Sequence, residues 1–102
     1  MDLREFKELF QSAKPMIGMV HLMPLPGSPR YRQPISKIID RALNDARILV
    51  EGGMDGLMIE NYGDAPFHPT TVGPETIASI TWIAREIQRD VQKPLGINVF
   101  RN

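Results

Sequence analysis

PISKIIDRALNDARILVEGGMDGLMIENY, residues 34–62, decides the fold. In its first half Ile35, Ile38, Ile39, Ala42, Leu43, Ala46, Leu49 and Val50 recur every three or four residues. That is one broad helical stripe with charged residues on the opposite face, and it predicts a helix over 34–52. Pro34 fits the first turn, where an absent N–H costs nothing, and Gly52-Gly53 supplies a left-handed stop. The second half loses the helical period. Gly56 to Ile59 is a continuous apolar run that ends abruptly in Glu60, Asn61 and Tyr62. A short run without alternation reads as a parallel strand covered on both faces, here over 56–61.

The same pattern extends outward on both sides. Upstream, KPMIGMVHL (14–22) is a second apolar run opened by a proline and closed by His21, which predicts a strand at 15–22. A stiff loop with Pro24, Pro26, Gly27 and Pro29 connects it to the helix. Downstream, GDAPFHPTTVGP (63–74) is rich in turn formers. A second long helix is predicted over 75–91, with Ile77, Ile80, Ile83, Ala84, Ile87 and Val91 inward. After the break at QKP, LGINVF gives a third strand at 95–100. Leu3, Phe6, Leu9 and Phe10 mark an amphipathic helix over 2–12, capped by Asp2. The domain reading is one incomplete α/β domain over 1–102, a helix followed by βαβαβ over 14–102.

Strands that alternate with helices imply parallel pairing by right-handed crossovers, in the order 1-2-3, with both helices on one face. Lys-Pro precedes the first and third strands alike, a weak internal repeat. Three parallel strands alone leave two apolar edges bare. The expectation is therefore the N-terminal part of a (β/α)8 TIM barrel, which needs roughly 250 residues. The alternative is a small three-stranded domain paired edge to edge. In either case the chain by itself is expected to form a homo-oligomer.

Twelve basic and twelve acidic side chains cancel, so no long-range field argues for nucleic acid. The absence of cysteine removes disulfides, Cys-ligated zinc and thiol catalysis, and fits a cytoplasmic location. No stretch has the roughly 20 apolar residues of a transmembrane helix. Nucleotide-binding glycine patterns, HxH and HExxH are all missing, so no metal is expected and any cofactor stays unidentified.

In parallel α/β folds chemistry gathers where strands end at their carboxyl side. Each strand here turns from apolar to polar at that end: His21, then Glu60 and Asn61, then Asn98, Arg101 and Asn102. His21 and Glu60 are the candidate catalytic pair, able to exchange protons if their pleats agree. Asn61, Asp64, Asn98 and Arg101 are candidate substrate-binding residues, with Tyr62 and Phe67 as apolar walls. The plainer reading makes His21 a capped strand-end residue, Glu60 a hydrogen-bonding residue of the rim and Asp64 a turn former. His68, followed by proline in a loop, reads as solvent-exposed.

KPMIGMVHLMPLPGSPRY, RALNDARILVEGGMDGLMIENYGDAPF and KPLGINVFRN together resemble the opening of the BtpA family. The likeness runs from Lys14 to Asn102. It implies a barrel similar to the ribulose-phosphate-binding TIM barrels, with this chain as its N-terminal portion. It also implies one of two functions. The first is an enzyme acting on a small phosphorylated or ribosyl ligand. The second is a non-catalytic assembly factor touching the periphery of a membrane complex such as photosystem I. The 102 residues alone are expected to be inactive, since most rim loops of a barrel would be missing.

Overall fold

The computed structural model describes residues 1–67 and 71–100. Its elements are α1 (Leu3–Phe10), β1 (Ile17–His21), α2 (Ile35–Glu51), β2 (Gly56–Glu60), a 3-10 turn (Tyr62–Asp64), α3 (Pro74–Asp90) and β3 (Leu95–Asn98). Asp2 starts α1 through a reciprocal cap. Its carboxylate accepts from the Glu5 N–H at 2.9 Å, and the Glu5 carboxylate accepts from the Asp2 N–H at 2.8 Å. Gly53 at φ +102° supplies the turn after α2, and Pro74 opens α3 behind the N-cap Gly73.

The three strands form one parallel sheet in the order β1-β2-β3. Asp55 fixes the first pairing at its base: its carboxylate accepts from the Met16 N–H at 2.9 Å, and its own N–H donates to the Met16 carbonyl. The register sets His21 opposite Glu60, and Glu60 opposite Asn98. The last residues of all three strands therefore stand in one row.

Alternation divides the sheet residues between two faces. Val20, Leu57 and Ile59 join Ile38, Ile39, Ala42 and Ala46 of α2 and Ile80, Ile83, Ala84 and Ile87 of α3 in one buried cluster. Both helices therefore cover the same face, whereas a doubly wound sheet would place them on opposite faces. A glycine at position 18 lets α2 come close. A Cβ there would lie 3.0–3.1 Å from Met54 and Leu49 side-chain carbons. Burying a side chain such as Ile59 in this cluster contributes about 1.5–3 kcal/mol.

The other face is open. Ile17 and Met19 are exposed on it, and α1 covers only its amino end. There Leu9 and Phe10 border a hollow of about 260 Å³ with Ile17, Met58 and Leu95. No residue of α1 is buried, so the apolar stripe read from its sequence is only loosely docked.

One predicted core position is corrected. Ile77 is 55% exposed, while Thr76 and Ser79 of α3 are buried. The inward stripe runs through 76, 80, 83 and 87, and residue 77 sits about 100° around the helix from its neighbour 76. Polar identity at 76 and 79 hid the true phase.

A bidentate ion pair clasps the two helices at the surface: Arg47 Nη2 lies 2.9 Å from Asp90 Oδ1, and Nε donates to Oδ2. That hydrogen bonding, and the guanidinium charge with it, hold the Asp90 carboxyl below the usual carboxylate range. A carboxyl depressed in the folded state stabilises above its unfolded pKa, and the contribution is lost as pH falls through the folded value. We therefore expect the urea midpoint to fall below about pH 4 in the native protein. Asp90→Asn should flatten part of that acid limb, and high salt should shrink the difference because the pair is exposed. Parallel acid limbs for the two proteins would contradict this.

Candidate active site

Glu60 lies at the centre of the row formed by the three strand ends. It follows Ile59, which is buried on the helix side, so the pleat turns the Glu60 side chain to the open face beside His21 and Asn98. His21 Nε2 is 3.0 Å from Glu60 Oε2, and Asn98 Nδ2 donates to Glu60 Oε1 at 3.3 Å. Both carboxylate oxygens thus meet a donor from a neighbouring strand. The Glu60 side chain is 13% exposed, while that of His21 is 50% exposed. The carboxylate forms the supported floor, and the imidazole reaches solvent.

The contact has a chemical consequence. A carboxylate only accepts, so neutral His21 carries its proton on Nε2, and Nδ1 keeps its lone pair. Tyr62 stacks on the imidazole with centroids 4.8 Å apart and planes 17° from parallel. Phe100 meets Tyr62 edge-on at 6.2 Å and stacks with Phe67 at 5.2 Å. The ring of His21 is therefore held at one edge by Glu60 and on one face by Tyr62.

Behind this row lies a buried polar knot. Asn61 is 1% exposed. Its Oδ1 accepts from the Phe100 N–H at 2.6 Å, and its Nδ2 donates to the Phe100 carbonyl at 3.3 Å and to Asp64 Oδ2 at 3.2 Å. Asp64, also buried, accepts from the Leu25 N–H at 2.7 Å through Oδ1. The pair binds the segment after β3 to the 3-10 turn, and the turn to the loop after β1. Gly63 is required between them: a Cβ there would come 2.5 Å from the Leu22 carbonyl oxygen, to which the Gly63 N–H donates at 3.2 Å.

His21, Glu60 and Asn98 are thus brought together on the open face, whereas Asn61 and Asp64 direct their side chains into backbone groups beside it. Arg101 and His68 lie outside the described residues. Phe100 is the one member of the wall that the sequence reading left out. Its signal was its position two residues past Asn98 on the same strand end. Among the described residues no group of three or more His, Asp or Glu side chains is placed to hold a metal ion. Among them, too, no helix is long and apolar enough to cross a membrane.

Comparison with known proteins agrees with the sequence motifs. The model of the BtpA family matches residues 12–102. An uncharacterized protein of Archaeoglobus fulgidus is 56% identical over 87% of this chain and 35% of its own length. One from Pyrococcus abyssi is 52% identical over 88% of this chain and 34% of its own. The photosystem I biogenesis protein BtpA of Synechocystis is 43% identical over 93% of this chain and 33% of its own. The chain spans about a third of the length of these relatives. No solved structure matches.

Proposed function

The chain belongs to the BtpA family, and on that premise we propose that the whole protein is a (β/α)8-barrel enzyme acting on a small phosphorylated or ribosyl substrate. The relatives are about three times as long as the segment they share with this chain, the size range of such a barrel. The one-sided sheet, with its helices outside and its polar row at the strand ends, supports the same architecture.

The observation that carries the enzymatic reading is the 3.0 Å contact between His21 and Glu60 at the rim. In this reading His21 takes and returns a proton at Nδ1, and Glu60 holds the opposite N–H and balances the imidazolium charge. Asn98 and Arg101 bind substrate. Asn61 and Asp64 act on it through the rim segments that they hold. A cytoplasmic location belongs to the same proposal, supported by a chain without cysteine. The test is a screen of phosphosugars and nucleosides against the whole protein, read as both binding and turnover. Saturable binding with conversion of one class is expected; no binding by either class overturns the reading.

The name of the Synechocystis relative favours a second reading, a non-catalytic assembly factor at the periphery of a membrane complex. Retention of the protein on such a complex, unaffected by loss of His21, would favour it over the enzyme.

Self-association of the 102-residue chain is a further part of the proposal. Ile17 and Met19 stand exposed on the open face, and among the described residues β1 and β3 each pair on one side only. Light scattering should give a mass above that of one chain, and a monodisperse, cooperatively unfolding monomer would contradict it.

A further inference from the structure

The loop after β1 carries two arginines whose charge is not used within the described residues. Arg4, Arg41, Arg47 and Arg89 each face a carboxylate. Arg30 and Arg32 instead meet only backbone carbonyls. Arg30 Nη1 donates to Ala65 O at 3.4 Å, and Arg32 Nη1 donates to Tyr31 O at 2.9 Å and Pro29 O at 3.2 Å. These bonds tether one nitrogen of each guanidinium, and the remaining N–H donors meet no acceptor among the described residues. The first turn of α2, which follows directly, contains no acidic residue, and Glu75 turns its carboxylate toward Gly27 and Gly73.

Arg30 and Arg32 both line one open hollow of about 360 Å³ with Met23, Pro24 and Gln33. Met23 and Pro24 come two and three residues after His21, and Ala65 follows the turn that carries Tyr62, so the hollow borders the same rim. The loop is also held in advance. Asp64 fixes the Leu25 N–H, the Ser28 N–H donates to Leu25 O, and Ser28 Oγ accepts from the Arg30 N–H at 3.1 Å. An anion placed in this hollow would meet planar donors suited to oxygen pairs. A loop already ordered loses little entropy when such a ligand arrives.

The geometry points to an anion site on this loop, in which Arg30 and Arg32 together take a phosphate or carboxylate group of the substrate. The assignment of that anion to a substrate rests on the enzymatic reading above; the site itself rests on its own residues. It places the anionic end of the ligand at the first rim loop, with the reacting end toward His21.

The test is an NMR titration of the whole protein with arginine Nε–H groups labelled, Arg30 and Arg32 being assigned through Arg30→Gln and Arg32→Gln. Inorganic phosphate and acetate are added at matched ionic strength, with chloride as the control. Both signals should shift saturably with phosphate or acetate and stay still with chloride, and the stronger of the two anions identifies the ligand group. In each glutamine variant the remaining arginine should need about tenfold more anion for half its shift. Arg30→Lys and Arg32→Lys keep the charge and serve if a glutamine variant fails to fold, while the native-protein titration is decisive without any variant. Unmoved signals, or equal shifts with chloride, overturn the proposal. His21→Ala should bind the anion as the native protein does. Loss of turnover in that variant with no anion shift in the native protein would sink this inference alone, and the reverse result would sink the acid–base reading alone.

Discussion

His21→Ala should lower turnover of the whole protein by about a thousandfold, within the usual span for losing a general acid–base group, and leave the circular dichroism spectrum unchanged. The fold should survive because the imidazole is half exposed and contributes no core packing. Glu60→Gln should have a comparable effect for a different reason. The amide retains the shape of the carboxylate but cannot balance a positive imidazole. Its NH2 can also donate to Nε2, which moves the histidine proton to Nδ1 and removes the base. Asn98→Ala, which removes the 3.3 Å bond to Glu60 Oε1 and the proposed substrate contact but no proton-transfer group, should be milder than either. Full activity in both the His21 and the Glu60 variants, with native spectra, would show that the row is structural.

The largest effect on stability is expected at Asn61. Asn61→Ala deletes three hydrogen bonds at a site only 1% exposed, and leaves the Phe100 N–H and one Asp64 oxygen without that partner. A buried group that loses its partner costs about 1–3 kcal/mol, and the Phe100 N–H is only part-buried, so a loss of about 2 kcal/mol is the expectation. Urea unfolding measures it. Because Phe100 supports Tyr62, and Tyr62 supports His21, turnover should fall as well, even in dilute conditions where the variant remains folded. A variant with native stability would show that water replaces the side chain and that the knot is dispensable.

These two sites also show what the sequence makes legible. His21, Glu60 and Asn98 could be found because each ends an apolar run, and parallel pairing with equal offsets puts strand ends in register. The strands and helices themselves followed from the same apolar patterns, with boundaries shifted by a residue or two. Asn61 was visible as a rim residue, but its partners were not. Besides nearby Asp64, they are the backbone groups of Phe100, brought near only by the crossover through α3. Ile77 misled because an isoleucine counts toward a stripe wherever it falls, while buried Thr76 and Ser79 do not. The Arg30 and Arg32 side chains lie in a loop without periodicity, where only the folded structure shows that no carboxylate among the described residues meets them.

Three of the bonds that tie one strand unit to the next span the same distance along the chain. Met16 to Asp55, Leu25 to Asp64 and Asn61 to Phe100 each join residues 39 apart. During synthesis on a ribosome each new strand therefore arrives after the same interval, about 2–8 s at ordinary elongation speeds of ~5–20 residues per second. Closing each such loop carries a similar entropy cost, about 3 kcal/mol from the length-dependent part alone. Growth of the sheet is thus metered: β1 presents a bare edge for one interval, β2 covers it, and the same wait begins again. The Lys-Pro pairs ahead of β1 and β3 stand about two of these intervals apart, and β2 emerges without one.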